Sequence, residues 1–421
     1  MYRVDNARWN DVSEYVWTVA IKAMRLTRAL IVFLWAAGWL SACRPATEPN
    51  RVSLTDSAGV AIVSSRFPLF AEPQFTVGSP SVSIGDVDSV ELNDVVGAVR
   101  LSDERIVIAD GGGAAVLYFS PNGAYLGKVG RQGDGPAEFR TLQAIGKASG
   151  DTVWAYDFSH HRITFIAPDA TVVREISLRP LPGVALAVGV LPEGDIIVGE
   201  SWSTSRVAYA TEPGLNREPV AYLRYSAAGE LEDTIGMFLG REVLLSQENG
   251  RAVMSAAPLA RAAVHAVSGS WIAIGEQVRH EIRFFETSGK LKRIMRWEGS
   301  DPGVNSDLEA AWRRAGLASA AAEDRASIAR QMDEQPMPAQ RPAFGRIIAS
   351  EAGELWVAEY AFDNETSVAW AVFDPDHAWR GSVAMPRRFQ PYAAGAEWVL
   401  GVSEDELDVQ RVELRPLVAA N

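Results

Sequence analysis

The chain has 421 residues, 48% of them hydrophobic and 22% charged, with a net charge of −13 at pH 7. So apolar a composition supports a packed core and excludes global disorder, and the acidic balance excludes a nucleic-acid partner, which needs a basic footprint. The single cysteine, Cys43, excludes an internal disulfide framework.

Residues 1–42 read as a signal region. Arg25 and Arg28 form a basic start, and Ala29–Leu40 is an apolar run of 12 residues, shorter than the ~20 a spanning helix needs. A signal peptide is the better reading. Asp5, Asp11 and Glu14 do not suit such a peptide, so Met24 reads as the true start. Leu40-Ser41-Ala42-Cys43, directly behind the apolar run, resembles the lipobox of bacterial lipoproteins. The resemblance implies that Cys43 is lipidated, that the membrane is a partner through this anchor, and that the chain sits in the bacterial envelope facing the periplasm or the outside. Arg44 next to it points to the outer membrane. The alternative is an ordinary signal peptide with an incidental cysteine. Residues 43–53 then form a tether ahead of a domain over 54–421.

From about residue 95 the chain repeats. The best-aligned positions are apolar runs ending in an acid: Ile106–Asp110, Val153–Asp157, Ile196–Glu200, Ile272–Glu276 and Leu355–Glu359. Trp398–Val402 is a sixth run without the acid. Turn residues precede several of them (Ser149-Gly150-Asp151, Glu193-Gly194-Asp195), and an aromatic or β-branched strand follows. The acid lies nine residues before the end of that strand in three units, at Phe119, Ile166 and Phe285. Short strands between Gly, Pro, Asp and Asn turns, at a period of about 45 residues, predict propeller blades of four strands. The fold class is therefore all-β, a six-bladed β-propeller. Gln74–Gly85 is the expected strand donor that closes the ring on the last blade.

Two stretches interrupt the rhythm. Ser201–Val220 lengthens the link between the second and third strands of blade 3. Residues 305–335, between blades 4 and 5, predict a small helical hairpin. Its first helix opens on the capping box Ser306-Asp-Leu-Glu309 and carries Leu308, Ala311, Trp312 and Ala315 on one face; its second covers Ser319–Met332.

With these elements placed, the chain resembles the NHL-related six-bladed β-propeller lipoproteins of environmental bacteria. The resemblance is carried by Gly130-Arg-Gln-Gly-Asp-Gly-Pro-Ala-Glu-Phe139, Arg341-Pro-Ala-Phe344, Gly353-Glu-Leu-Trp-Val357, Trp370-Ala-Val-Phe373 and Gly401-Val-Ser-Glu-Asp-Glu406. Asp157 and Arg162 make blade 2 the closest to an NHL unit, whereas blades 1, 4 and 5 lack that arginine. The resemblance spans roughly residues 54–417 and implies the fold rather than an activity.

Strand direction alternates within a blade. Asp110, Asp157, Glu200, Glu276 and Glu359 are therefore expected on one face, together with the Gly130–Phe139 link, the blade 3 insertion and the helical hairpin. Insertions gathered on one face of a repeat protein mark its binding face. The acids are candidate ligands for a hard cation such as Ca²⁺. The favoured alternative is that each caps a turn by accepting backbone N–H bonds, with Arg162 or Arg279 as local partners. His160 and His161 lie on the same face as candidate ligands or acid–base groups, a solvated turn being the simpler reading. The Gly130–Phe139 link lacks a P-loop ending and reads as a tight inter-blade turn. No zinc motif or G-x-S-x-G is present, so neither cofactor nor catalytic residue is assigned. Trp154, Trp271 and Trp356 read as packing between blades. The expected function is a monomeric, non-catalytic binding or scaffold module for a protein, peptide or glycan. The alternative is a metal-dependent, lactonase-like hydrolase or a lyase with a carboxylate-lined site.

Overall fold

A computed structural model describes residues 52–65, 74–85, 90–180, 184–202, 213–248, 251–318, 320–361, 366–376, 378–405 and 407–420. The signal region, Cys43, the first part of the tether, His377 and part of the blade 3 insertion lie outside them.

Blade 1 is built from Val95–Arg100, Ile106–Asp110, Ala115–Phe119 and Tyr125–Val129, paired in that order and antiparallel. Blade 2 repeats the plan with Leu142–Lys147, Val153–Asp157, Arg162–Ile166 and Val172–Ser177. The nine-residue spacing is a consequence of hairpin register. The first residue of each second strand faces the last residue of the third, as Ile106 with Phe119, Val153 with Ile166, and Ile272 with Phe285. Blade 3 runs from Val184–Val190 to Leu231–Leu239, blade 4 from Val264–Val267 to Leu291–Trp297, and blade 5 from Ile347–Ala349 to Trp379–Pro386.

Blade 6 has Phe389–Ala394, Trp398–Glu404 and Gln410–Ala419, and takes its outer strand from the front of the chain. Val82–Ile84 pairs antiparallel with Gln410–Ala419. Phe75–Val77 lies between that strand and the outer strand of blade 5. The expected donor segment thus closes the ring. The first strands of successive blades stand side by side, including those of blades 6 and 1, so the six form the inner wall of a closed cylinder.

Six apolar clusters, one at each interface between neighbouring blades, hold the ring together. Trp154, Trp271 and Trp356 are buried in them as the repeat positions predict. Phe139 and Phe344, each closing the link into a new blade, are fully buried wedges between blades 1 and 2 and between blades 4 and 5. Burying such a ring contributes roughly 1.5–3 kcal/mol.

Two helices join blades 4 and 5: α1, Ser306–Ala318, and α2, Arg325–Glu334. Both boundaries differ from expectation. The Asn305 side-chain oxygen accepts the Leu308 N–H at 2.9 Å, so the cap sits one residue before Ser306. The second helix starts at Arg325, not Ser319, because Ala321–Asp324 closes a turn instead. Ala311 and Met332 are the buried helical positions, and an Arg313–Asp333 ion pair ties the helices together. Two further elements were not expected. Gly214–Asn216 pairs with Val243–Glu248, which pairs with Arg251–Ala256, forming a small sheet beside blades 3 and 4. The hairpin Val52–Ser57 and Val60–Ser65 adds to the outer edge of blade 4.

Candidate functional site

The inner strands read VVGAVR, LQAIGK, VALAVGV, VHAV, IIA and FQPYAA. They are mostly small or aliphatic, with scattered polar residues near their ends. Two glycines let neighbouring walls approach. A Cβ on Gly97 would lie 2.6 Å from the Ile145 side chain, and one on Gly189 would lie 2.6 Å from Val267 Cβ. The cylinder encloses a central cavity of about 610 Å³, within the usual range for small-molecule sites. Its middle is aliphatic, lined by Val96, Ile145, Val188, Val267 and Ile348.

The two ends differ. At the end where the inner strands finish, here called the base, Lys147 Nζ meets Glu351 at 2.5 Å and the Arg100 carbonyl at 3.3 Å. Blades 2 and 5 stand opposite one another in the ring, so this ion pair spans the lumen. Asp151, 3.9 Å from Lys147, accepts bonds from the Ser102 N–H and hydroxyl, extending the network to blade 1.

The opposite end, here called the mouth, holds Gln143, His265, Arg346 and Tyr392. Tyr392 donates its hydroxyl to the Val95 carbonyl at 2.7 Å. His265 Nδ1 is 2.9 Å from the hydroxyl of the fully buried Tyr222. Burial, with the Arg346 charge adding to it, pushes the His265 imidazole down to about 4, so it is neutral at pH 7. Burial likewise lowers Arg346 and raises Tyr392. Arg346 keeps a water-reachable surface although protein surrounds it, as expected of a side chain in a channel. Its guanidinium forms no hydrogen bond or ion pair among the described residues. The same side chain borders a second cavity of about 280 Å³ between blades 5 and 6, with Glu359, Tyr360, Arg387 and Gln390.

The acidic series is not drawn to one point. Asp157 is fully buried: its Oδ1 accepts the N–H groups of Thr141 at 3.2 Å and Ser159 at 3.0 Å, and its Oδ2 accepts the Arg140 N–H at 2.7 Å and lies 2.7 Å from His160 Nδ1. Burial pushes this carboxyl up, but those bonds together hold it below its ordinary value. Asp110 accepts the Asn93 N–H at 3.0 Å; there burial outweighs the bonds and the carboxyl is raised. Glu200 accepts the Ala221 N–H at 3.0 Å. Glu276 accepts the Leu239 N–H at 2.7 Å and pairs with Arg283 at 3.3 Å. Glu359 lies at the rim of the 280 Å³ cavity. Among the described residues, no three of His, Cys, Asp or Glu stand close enough to hold a metal ion. The proposed local arginines go elsewhere: Arg162 donates to the Gly135 and Glu138 carbonyls, and Arg279 pairs with Glu281.

His160 is bracketed by two carboxylates, with Nδ1 2.7 Å from Asp157 and Nε2 2.8 Å from Asp134. It clips the Gly130–Phe139 link onto blade 2. His161 packs edge-on against Phe158. In the link itself, Gly130 has φ of 99°, and a Cβ there would strike the Phe139 ring at 2.5 Å. Glu138 accepts the Gly135 N–H at 2.8 Å and Arg131 pairs with it at 2.7 Å. The link is a packed inter-blade turn.

Gln143, His265, Arg346 and Tyr392 were not singled out from sequence. The readable signal was a cation and an imidazole among the small and aliphatic residues of inner strands, a pattern visible only when the first strands are aligned instead of the second.

A six-bladed β-propeller with a lumen open to chemistry at one end is the class of protein these features define. The family model DUF5128, described as a 6-bladed beta-propeller, matches residues 87–176, which hold blades 1 and 2. Among solved structures, the chain is similar to a member of the DUF4221 family from Bacteroides vulgatus, with 10% identity over 84% of this chain and 99% of the other, at a TM-score of 0.50. It is also similar to virginiamycin B lyase from Staphylococcus aureus (11% identity, 82% and 100% covered, TM-score 0.41). A gluconolactonase from Xanthomonas campestris is similar at 12% identity (86% and 100% covered, TM-score 0.40). Such identities speak to fold alone. No curated protein sequence matches the chain.

Proposed function

We propose that this chain is a lipid-anchored, non-catalytic binding module of the bacterial cell envelope that takes its ligand at the mouth of the central channel. The observation that carries the reading is the distribution of polar groups along the lumen. Charges at the base answer one another, while the mouth presents Gln143, His265 and an unanswered Arg346. The links between blades, including the Gly130–Phe139 turn and the helical hairpin, join the fourth strand of one blade to the first of the next and so frame that mouth. Anchoring rests on Leu40-Ser-Ala-Cys43 behind its apolar run. Among the described residues no helix is long and apolar enough to cross a membrane.

Hydrogen exchange tests the reading. The purified protein is incubated with envelope extract divided into small-molecule, peptide and glycan pools. One pool should protect amides near the mouth, at Arg140, Thr141 and Arg346, and the bound compound should be recovered unchanged. A pool that is protected against and chemically converted would turn the assignment to a hydrolase or lyase. A stoichiometric divalent cation lost when Asp157 and Glu359 are mutated together would do the same.

A further inference from the structure

Three features of the lumen combine. Its middle is aliphatic over the span from Arg346 to Glu351, which at a strand rise of about 3.3 Å per residue is roughly 17 Å. Its base is shut by a satisfied ion pair, Lys147 with Glu351. Its mouth carries a guanidinium that forms no hydrogen bond or ion pair among the described residues, in a chain whose net charge is −13. The acid lining the cavity, Glu351, is already engaged at the other end. Arg346 is reached by the water of the channel and holds no ion pair among the described residues, so an incoming anion can take it without first displacing a partner. Beside it, His265 is held through Nδ1 by Tyr222. With the Tyr222 hydroxyl as donor, the ring proton lies on Nε2, which then serves as a second, neutral donor.

We infer that the lumen binds an anionic amphiphile, with a single carboxylate or phosphate head group on Arg346 and its apolar body running inward along Ile145, Val188, Val267 and Ile348 toward the Lys147–Glu351 closure. The inference rests on the binding-module reading and names its ligand class. Guanidinium is suited to both head groups because its fork of N–H donors matches two oxygens at once. The aliphatic wall supplies affinity in proportion to the apolar area removed from water. A sugar-like ligand finds few side-chain polar partners along the aliphatic middle.

The test is calorimetric titration of the folded domain with four ten-carbon probes: decanoate, decyl phosphate, decan-1-ol and decyltrimethylammonium. Saturable one-to-one binding is expected for decanoate, decyl phosphate or both, and whichever binds more tightly identifies the head group. Decan-1-ol should bind at least about tenfold more weakly, since a charge-assisted hydrogen bond is lost, and decyltrimethylammonium should not bind. Arg346→Gln should weaken the anion about 10- to 100-fold, with Arg346→Lys recovering part of the loss and a thermal melt confirming that both variants fold. Equal binding of anion and alcohol, or unchanged affinity in Arg346→Gln, would each overturn the inference. If neither anion binds while an envelope pool still protects the mouth amides, this inference fails and the binding-module reading stands. If no pool protects them and no probe binds, both fail.

Discussion

At the base of the channel Lys147 is answered by Glu351, Asp151 and the Arg100 carbonyl; at the mouth Arg346 is answered by nothing among the described residues. Both ends belong to the same ring of six inner strands, and each carries a cation. The difference separates structure from function: paired charges stitch blades 1, 2 and 5 together, and the unpaired one is held ready for something outside the chain. The rim around the mouth is itself well satisfied. Asp157, His160 and Asp134 fix the Gly130–Phe139 link, so the opening at Arg346 is set against a tightly bonded frame.

Breaking that frame should have the largest effect. Asp157→Ala removes the acceptor for several backbone N–H groups and leaves them buried, and a loss of about 3 kcal/mol or more in chemical unfolding is expected. Disturbing the wall between the two ends comes next. Gly189→Ala places a Cβ 2.6 Å from Val267 Cβ, and overpacking of this kind costs about 1–3 kcal/mol; a melting curve checks it.

Asp110 and Asp157 occupy the same position in neighbouring blades and sharpen the comparison through pH. The folded-state pKa of Asp157 lies below its ordinary 3.8, so its contribution is full above that value and is lost as pH falls through the folded one. That of Asp110 lies above 3.8, so its contribution is present below that value and is lost as pH rises through the folded one. Measured as urea midpoints at pH 3 and pH 7, Asp157→Asn should lose stability relative to wild type as pH rises, and Asp110→Asn should gain it. At pH 7 Asp110→Asn should stay within about 1 kcal/mol of wild type, since an amide oxygen can still accept the Asn93 N–H. Smallest of all, Lys147→Met should change stability by less than about 1 kcal/mol, because its ion pair with Glu351 is partly solvated.

What was legible in the sequence was what short-range register controls. The nine-residue spacing from Asp110 to Phe119 is the footprint of one hairpin, so aligning second strands exposed the blades and with them the fold. Gln74–Gly85 was legible as the ring-closing donor because an incomplete last blade needs one. The mouth was not legible in this way. Gln143, His265, Arg346 and Tyr392 come from blades 2, 4, 5 and 6, and only closure of the ring brings them together. The acids drew attention because they repeat, yet their partners differ: Asp110 and Asp157 accept N–H bonds from the segments leading into their blades, Glu200 from the third strand of its own blade and Glu276 from the outer strand of blade 3.

The most direct measurement is a crystal structure with 10-bromodecanoate, locating bromine by its anomalous signal. The bromine should lie in the lumen among Ile145, Val188, Val267 and Ile348, with the carboxylate on the Arg346 guanidinium. A bromine outside the channel, or a carboxylate resting on Lys147 at the base, would contradict the assignment of the mouth as the binding end.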